Sequence, residues 1–480
     1  MGRTWEFGEK SPQRSPRHEC QRTWHSLPMD TTCDVVVIGL GPGGEYLAGQ
    51  LAQAGLEVVG IEANLVGGEC PYWGCVPTKM MIRAGKVLAE GRRIPELAGS
   101  SEVHADWAPV ARRIRDEATD NWNDQVAVDR FVDQGGRFVR GHATLRDAST
   151  VVVGDDTYAA RRAIVVAAGE RAAIPPIAGL AQTPFWTNRE AVETTEVPQS
   201  LLILGGGAIG VELAQVFARF GSRVTIVEGA QRIVAAEEPE AAQILTKVLQ
   251  AEGIEVRTGE FASAVRHDGQ QFAVTVGGTE LTGQRLLVAT GRRSNADEVG
   301  LAALGVELDH GYPPVDEHMQ ILPGVYAIGD IAGKGAFTHM AMYQAAVCER
   351  AILGQDGPGV DYSAVSRVTF TDPELGSVGM TEQQAREAGL SVATGSVSVP
   401  STSRGWIDKV GNEGIIKVVA DADRRVLVGA TSMGPTGGEV LSYLALAVRA
   451  QVPIATMKNM IYAYPTIWRG IENAIHDTGL

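Results

Sequence analysis

The residues best suited to chemistry are two cysteines, Cys70 and Cys75, in the sequence GGECPYWGCVPTK over residues 67–79. The chain has 5 cysteines, and a close pair in such a chain is more typical of catalysis or metal binding than of a disulfide framework. A redox disulfide, a structural disulfide and half of a zinc site are the three interpretations, but no second cysteine pair could complete a zinc site. Pro77 suits the first turn of a helix, so Cys75 would lie at a helix N-terminus, which lowers the pKa of a thiol.

An internal repeat supplies the elements that would hold a cofactor close to these cysteines. Residues 34–62 and 200–228 align without gaps at an offset of 166 positions. Each segment reads as an apolar strand, a Gly-x-Gly-x-x-Gly turn, an amphipathic helix and a second strand that ends in Glu. The glycines of the two turns are Gly39, Gly41 and Gly44, and Gly205, Gly207 and Gly210. One such turn is weak evidence, but two in matching units predict two bound dinucleotides.

The positions within each unit have separate physical roles. The first glycine permits a tight turn, the second admits a pyrophosphate, the third lets helix and strand pack closely, and the helix N-terminus attracts the phosphates. Glu62 and Glu228 each follow the first glycine by 23 residues, which is close to the ~20 expected of a ribose-binding acid. Glu228 favours NADH, because a carboxylate repels the 2′-phosphate of NADPH. Gly210 also favours NADH, whereas Arg232 could weaken the preference.

Composition excludes several classes of function. A length of 480 residues allows about three domains, and a net charge of -15 argues against a surface for nucleic acid or anionic membranes. No apolar run reaches the ~18 residues that span a bilayer, so we expect a cytoplasmic protein without a membrane partner. Residues 1–32 are predicted to be a disordered tail. We hypothesise that translation starts at Met29, with residues 1–28 an upstream extension.

Further motifs extend the pattern to the C-terminus. Two strands end in small residues, IVVAAG over 164–169 and LLVATG over 286–291, and these are followed by GVYAIGD over 324–330 and FTDPELGSVG over 370–379. With the glycine turns and the cysteine motif, they resemble the pyridine nucleotide–disulfide oxidoreductases, the family of lipoamide dehydrogenase, glutathione reductase and mercuric reductase. The resemblance runs from about Asp34 to the end of the chain.

The resemblance implies an α/β fold with two Rossmann-like domains, for FAD and NAD(P), and a C-terminal α+β dimerisation domain. The FAD-binding domain would comprise residues 33–180 and 292–357, the NAD(P)-binding domain 181–291, and the interface domain 358–480. A homodimer whose active sites are shared between subunits is therefore expected.

The resemblance also implies roles for individual residues. Cys75 would lie beside the flavin and Cys70 would exchange electrons with the acceptor. Lys79 would lie near flavin N5 and pair with Glu212. Asp330 would bind the ribityl chain. The cofactor-binding residues implied outside the two glycine turns are Glu62, Gly68, Lys79, Gly169, Glu228, Gly291, Gly329, Asp330 and Thr338, and no metal ligand is expected.

The C-terminal motif departs from the family pattern. Thiol–disulfide members carry His-Pro-Thr-x-x-Glu, whose His acts as acid and base across the dimer interface, but this chain has Tyr464 and Arg469 in place of the His and the Glu. A phenol with a reference pKa near ~10 is a poor base at neutral pH. Mercuric reductase also has a tyrosine at about this place, which helps hold the metal ion near the redox thiols, so the resemblance makes Tyr464 a candidate catalytic residue. This chain lacks that enzyme's C-terminal cysteine pair. Ala208 replaces a tyrosine that shields the nicotinamide pocket in many relatives.

The function expected from these observations is an FAD-dependent NAD(P)H oxidoreductase. Electrons would pass from the nicotinamide to the flavin, to Cys70–Cys75, and on to a small acceptor such as a soft metal ion, an unusual disulfide or a quinone-like molecule. Two alternatives stay open. One is an NADH:quinone reductase of the diaphorase type in which the disulfide is dispensable. The other is a redox-sensing binding protein.

Overall fold

The structure, a computed structural model, describes residues 29–480, so the hypothesis about residues 1–28 lies outside the described residues. The predicted tail of residues 1–32 is wrong at its C-terminal end, because a strand begins at Asp30. The Met29 carbonyl accepts a hydrogen bond from Thr157 N at 2.9 Å, and Met29 N donates to Asp156 Oδ1 at 2.9 Å. These residues therefore extend an existing sheet.

The strands of the described chain are, in order, β1 (Asp30–Ile38), β2 (Val58–Glu62), β3 (Arg137–Arg140), β4 (Ala143–Asp147), β5 (Thr150–Val153), β6 (Asp156–Val166), β7 (Glu170–Ala172), β8 (Ser200–Leu204), β9 (Arg223–Glu228), β10 (Glu255–Thr258), β11 (Ala262–His267), β12 (Phe272–Val276), β13 (Thr279–Gly283), β14 (Arg285–Val288), β15 (Arg292–Ser294), β16 (Gln320–Leu322), β17 (Val325–Ala327), β18 (Ser366–Thr369), β19 (Glu374–Gly379), β20 (Val392–Ser398), β21 (Ile415–Asp421) and β22 (Val426–Gly434).

The α-helices are α1 (Pro42–Gln53), α2 (Glu69–Tyr72), α3 (Cys75–Leu97), α4 (Ala108–Arg113), α5 (Gln125–Asp133), α6 (Asn188–Glu193), α7 (Ala208–Arg219), α8 (Pro239–Ala251), α9 (Thr338–Leu353), α10 (Glu382–Glu387), α11 (Ser403–Asp408), α12 (Gly437–Arg449), α13 (Ile454–Lys458) and α14 (Gly470–Asp477). Shorter helical turns cover Ile114–Ala118, Leu180–Gln182, Leu301–Leu304, Asp330–Ala332 and Val399–Ser401. Among residues 29–480, none of the helices combines the length and the apolar composition that crossing a membrane requires.

The largest sheet has a parallel core in the order β17-β6-β1-β2-β3, with β16 on one edge and the β4–β5 hairpin paired to β6. Side chains of β1 alternate between two cores: Val35 and Val37 pack with α1, and Val36 and Ile38 pack on the opposite face. Both faces of β1 are buried, which explains why its sequence is apolar without alternation.

The second parallel sheet, in the order β10-β9-β8-β14, repeats the geometry of the first. Val35 pairs with Val58 in the first sheet. In the second sheet Leu201 pairs with Val224, and these two residues lie 166 positions after Val35 and Val58. Helix α7 begins and ends 166 positions after helix α1 begins and ends. The predicted repeat is therefore confirmed in its strand register as well as its helix bounds.

The C-terminal region forms a five-stranded antiparallel sheet in the order β18-β19-β22-β21-β20, with α12 and α14 packed on it. The fold class is thus confirmed as α/β, with two Rossmann-like units and a C-terminal α+β domain. The sheets use residues 30–166 with 320–327, 200–288 and 366–434. The domain boundaries at 180, 291 and 357 stay predictions.

A buried lysine joins the C-terminal domain to the second Rossmann unit. Lys417 Nζ on β21 lies 2.9 Å from Glu238, 2.8 Å from Glu240 and 2.9 Å from Glu382, and its side chain is 5% exposed. The three carboxylates are close enough together to hold a metal ion, but the lysine ammonium already supplies a positive charge among them. Removing that charge would leave the buried Glu238 carboxylate unpaired and facing two other carboxylates.

We predict that Lys417→Met lowers the thermal unfolding midpoint of the protein by about 5 °C, because breaking a buried ion pair costs about 3 kcal/mol or more. Differential scanning calorimetry of the flavin-loaded protein measures this change. Lys247→Met on α8 is the matched control, because Lys247 is exposed. Equal midpoints for the two variants would contradict the prediction.

Candidate active site

The first glycine turn is shaped by close contacts between backbone atoms. Gly39 has φ +90°, and a Cβ built on it would lie 2.4 Å from the Ala167 carbonyl oxygen. A Cβ on Gly44 would lie 2.0 Å from the Gly39 carbonyl oxygen. Gly41 differs, because its Cβ would meet nothing within 4 Å. The first and third glycines therefore close the turn, and the second faces open space where a pyrophosphate can approach.

The second glycine turn has the same design. Gly205 has φ +108°, and its Cβ would lie 2.2 Å from the Ala289 carbonyl oxygen. A Cβ on Gly210 would lie 2.0 Å from the Gly205 carbonyl oxygen, whereas one on Gly207 would meet nothing within 4 Å. Helices α1 and α7 both begin without a side-chain cap, so their first N–H groups are available to phosphates. Both turns fit a dinucleotide.

The two acids at the strand ends have a second role that the motif did not predict. Glu62 accepts hydrogen bonds from the backbone N–H groups of Leu40 and Asn64, both at 2.7 Å. Glu228 makes the equivalent contacts one repeat later, at 2.5 and 2.7 Å. Each carboxylate thus holds its glycine turn in place.

Arg232 is bound to the backbone. Its Nη2 donates to the carbonyl oxygens of Ala235 at 2.8 Å and Glu237 at 3.3 Å. The Nη2 group of this guanidinium is therefore occupied, whereas its Nε is buried without a hydrogen-bond partner among the described residues.

A cavity of about 940 Å³ connects the first glycine turn, the two cysteines and the start of α7. The predicted site residues that line it are Gly39, Gly41, Gly44, Glu62, Gly68, Cys70, Cys75, Lys79, Gly169, Gly207, Glu212, Gly291, Gly329, Asp330 and Thr338. Those that do not line it are Gly205, Gly210, Glu228 and Tyr464. The structure therefore brings together residues from four distant motifs.

The two cysteines lie on consecutive short elements at the wall of this cavity. Cys70 is in the single turn of α2, and Cys75 is the first residue of α3, as its predicted place at a helix N-terminus requires. The N–H groups of Trp73 and Gly74 both donate to the Glu69 carbonyl oxygen, at 2.9 and 2.6 Å, and this tight turn folds the chain back. The Cys70 side chain is half-buried and the Cys75 side chain is exposed.

Neighbouring groups divide the two thiols into a charged and a neutral one. The Cys70 thiol donates a hydrogen bond to Cys75. This contact, with the Thr338 hydroxyl at 3.4 Å and the charge of Lys79, outweighs burial and lowers the pKa of Cys75 to about 6. The same hydrogen bond, together with burial, raises the pKa of Cys70. Cys75 is therefore the thiolate at neutral pH, and Cys70 keeps its proton.

Lys79 and Glu212 form the ion pair that the sequence predicted. Lys79 Nζ lies 3.0 Å from Glu212 Oε2, and the Glu212 side chain is 6% exposed. The other carboxylate oxygen of Glu212 accepts from Phe370 N at 2.7 Å, and the Phe370 ring centroid lies 4.7 Å from Lys79 Nζ. The lysine charge is thus held at the cavity wall one turn after Cys75.

Comparison with known proteins identifies the family. The family model described as "Pyridine nucleotide-disulphide oxidoreductase" matches residues 33–345, and its dimerisation domain matches residues 365–475. The chain belongs to this family. Dihydrolipoyl dehydrogenase of Thermus scotoductus is 33% identical over 465 residues, covering 92% of this chain and 96% of the relative. Mercuric reductase of Shewanella putrefaciens is 31% identical over 455 residues, covering 92% and 80%.

Solved structures agree with this assignment. The HOCl-induced flavoprotein disulfide reductase RclA from Escherichia coli has a TM-score of 0.81 and 25% identity, covering 92% of this chain and 99% of that one. LpdA from Mycobacterium tuberculosis shares the fold, with a TM-score of 0.81, 22% identity and coverage of 93% and 99%. Members of the pyridine nucleotide–disulfide oxidoreductase family use FAD and NAD(P)H, and the two turns described above fit these dinucleotides.

Asp330, the residue predicted to bind the ribityl chain, lines the cavity. It follows Gly329, whose N–H donates to Gln344 Oε1 at 2.7 Å. Burial, followed by the negative charge of Glu170, raises the pKa of Asp330 to about 6. His339 also lines the cavity, but its Nε2 is hydrogen-bonded to the Ser366 carbonyl oxygen at 2.8 Å.

Tyr464 lies on the surface of its own chain, away from the cavity. Its side chain is 68% exposed, and the Arg469 guanidinium lies 5.7 Å from its ring centroid. The exposed apolar residues Ile461, Leu446 and Trp406 belong to the same domain. The matched dimerisation domain supports a homodimer, and these residues provide apolar surface for a second copy.

A polar network beside Cys70 could not be identified from the sequence. Arg189 Nε donates to Glu69 Oε1 at 2.7 Å, and Asn188 Nδ2 donates to Glu69 Oε2 at 2.9 Å. The Arg189 guanidinium also lies 4.3 Å from the Trp73 ring centroid. The local signal in the sequence was a charged residue, Glu69, inside a glycine-rich motif. Its partners could not be identified from the sequence, because they are about 120 positions away.

We predict that the Cys75 thiolate gives the reduced, FAD-loaded protein a long-wavelength thiolate-to-flavin absorption band. Because the pKa of Cys75 is lowered to about 6, the band should be full above that pH and disappear as the pH falls through it. Thr338→Val removes a hydrogen bond to the thiolate and should move the midpoint to higher pH. Visible spectra of the reduced protein from pH 4.5 to 9 measure both.

The matched control is Thr275→Val on β12, outside the cavity, which should leave the midpoint unchanged. A wild-type midpoint near pH 8.5, the ordinary value for a cysteine, would contradict the assignment of Cys75 as a stabilised thiolate.

Proposed function

We propose that this protein is an NADH-dependent FAD oxidoreductase that reduces a small acceptor through Cys70 and Cys75. The observation that carries the proposal is a stabilised thiolate at Cys75 next to a neutral thiol at Cys70. Both lie in a cavity that also contains the Lys79–Glu212 pair. A structural disulfide would not need a thiolate with a lowered pKa, and within residues 29–480 the two cysteines belong to no close group of three or more metal-ligating side chains.

The chain's own residues have distinct roles in this proposal. Bound FAD supplies the transfer of an electron pair between NADH and the disulfide. Reduction breaks the Cys70–Cys75 bond, leaves Cys75 as a thiolate stabilised by Thr338 and Lys79, and leaves the proton on Cys70. Cys70 then attacks or binds the acceptor, and its proton is released. When the disulfide re-forms, the pair of electrons passes from the two cysteines to the acceptor.

Lys79 supplies positive charge where electrons accumulate. Its ammonium is held by Glu212 and the Phe370 ring, so no reorganisation is required when negative charge develops nearby. The pair therefore acts by electrostatic stabilisation.

The acceptor proposed is a soft metal ion, an unusual disulfide or a quinone-like molecule. Tyr464 and Arg469 leave the site without the imidazole that would exchange protons with a leaving thiol, and this disfavours lipoamide or glutathione disulfide. The similarity to mercuric reductase supports a soft metal ion, which two thiolates bind well. The similarity to RclA, a disulfide reductase, supports a disulfide.

NADH is the proposed donor. The Glu228 carboxylate at the end of β9 repels a 2′-phosphate, and Arg232 is bound to backbone carbonyl groups. The proposal places this enzyme in the cytoplasm, where NADH is available.

A diaphorase-type reductase is the second candidate function, and one observation favours it. Ala208 and Ile209 line the cavity at the start of α7, and Ile209 is 37% exposed. The wall beside the predicted nicotinamide site is therefore open, and a quinone could accept electrons there without the cysteines.

The decisive experiment is an NADH-driven acceptor panel with Hg²⁺, lipoamide, glutathione disulfide and a soluble quinone. We expect Cys75→Ser to lose at least 100-fold in kcat/KM with the true acceptor, because the electron route through the disulfide is cut. The control is Cys348→Ser, since Cys348 is buried outside the cavity. Retained activity in Cys75→Ser would favour the diaphorase function. A lower kcat/KM with NADH than with NADPH would overturn the assignment of the donor.

Restoring the family's acid–base pair should broaden the acceptor range. The double variant Tyr464→His/Arg469→Glu is expected to raise lipoamide turnover by about 100-fold, because general acid–base catalysis contributes ~10²–10⁴-fold. Tyr464→Phe is the control and should not gain this activity. If the wild type turned over lipoamide as fast as the double variant, the inference that Tyr464 and Arg469 limit lipoamide turnover would be contradicted.

A further inference from the structure

Glu170 is a buried acid at the cavity wall with no role in the proposed mechanism. It is the first residue of β7, directly after Gly169, and its side chain is 5% exposed. Its backbone carbonyl accepts a hydrogen bond from Arg292 Nη2 at 2.9 Å, across the β7–β15 pair. The backbone of Glu170 is therefore held by the β7–β15 pair at the cavity wall.

The two oxygens of this carboxylate have different surroundings. Oε1 accepts a hydrogen bond from the Tyr312 hydroxyl at 2.7 Å. Oε2 is buried and has no hydrogen-bond partner among the described residues. Arg292 Nε lies 4.0 Å from Oε2, which is beyond hydrogen-bonding distance. A buried carboxylate oxygen without a donor is costly, so a donor from a ligand or an ordered water is expected there.

The chemistry of the neighbourhood limits what that donor can be. The negative charges of Glu170 and Glu69 and the positive charge of Arg292 all act on Asp330, so acidic and basic groups are mixed there. This mixture does not favour a charged ligand group of either sign. A hydroxyl-rich segment fits instead, because each hydroxyl can donate one hydrogen bond to a carboxylate. In FAD, the segment with several adjacent hydroxyl groups next to the ring is the ribityl chain.

We propose that Glu170 is a flavin-binding residue whose Oε2 accepts a hydrogen bond from a ribityl hydroxyl of FAD, beside Asp330. Tyr312 positions the carboxylate through Oε1, and Arg292 holds its backbone. The negative charge of Glu170 also disfavours the more negatively charged reduced flavin, so it lowers the flavin midpoint potential. The inference depends on FAD as the cofactor and not on the identity of the acceptor.

The test uses the FAD-loaded full-length protein and the variants Glu170→Ala and Glu170→Gln. Glu170→Ala removes the acceptor and the charge and should raise the Kd for FAD at least tenfold, because hydrogen bonds to charged groups contribute about 1.5–3 kcal/mol. Glu170→Gln keeps an acceptor oxygen and should retain most of the affinity. The Kd is measured from flavin fluorescence as FAD is released on dilution.

The second measurement is the midpoint potential of the bound flavin. In both Glu170→Ala and Glu170→Gln, loss of the charge should raise the potential. A tenfold change in the preference for reduced over oxidised FAD corresponds to about 30 mV for a two-electron couple. Glu298→Gln is the matched control, because Glu298 also lines the cavity but its side chain is 59% exposed, and it should change neither quantity.

The outcomes separate this inference from the proposed function. Unchanged FAD affinity in Glu170→Ala and an unchanged potential in Glu170→Gln would overturn it, and an ordered water would then satisfy Oε2. If Glu170→Ala does not fold, Glu170→Gln and Tyr312→Phe still test it, since both should shift the potential without loss of fold. A wild-type protein that holds no FAD would instead refute the proposed function itself.

Discussion

A negative charge on the sulfur of Cys75 is the condition on which the rest of the site depends. Burial alone would favour the neutral thiol, so the charge needs partners. They come from the preceding turn in Cys70, from the start of α9 in Thr338, and from the next turn of α3 in Lys79. Lys79 is held in turn by Glu212 on α7 of the second Rossmann unit. The thiolate is therefore stable only when both units and α9 pack around α3.

Negative and positive groups alternate around the cavity. Glu69 is bound by Arg189 and Asn188, Asp330 and Glu170 lie on the side of Arg292, and Lys79 lies beside the reactive thiol. Glu69 and Lys79 are fixed by hydrogen bonds, so their field does not have to reorganise during electron transfer. The buried Lys417 separately joins the C-terminal domain to the second unit.

Much of the fold could be predicted because it rests on local rules repeated twice. Glycine is required at positions such as Gly39 and Gly205, where a Cβ would clash with a neighbouring carbonyl oxygen. The spacing of these glycines can be recognised from one amino-acid sequence. The offset of 166 residues reproduced the strand register and the helix bounds in the structure. The predicted tail, residues 1–32, extended into β1, which begins at Asp30 and pairs there with Thr157 of β6.

The sequence by itself determined the two dinucleotide turns, the cysteine pair at a helix start and, through family resemblance, the Lys79–Glu212 pair. These follow from backbone sterics and from helix geometry, which act over a few residues. Only the tertiary structure decided that Glu62 and Glu228 hold their own turns, that Arg232 is bound to carbonyl groups, and that Glu170 keeps one oxygen without a partner. Such contacts join side chains that are distant in sequence, and they depend on rotamers and packing that no local pattern specifies.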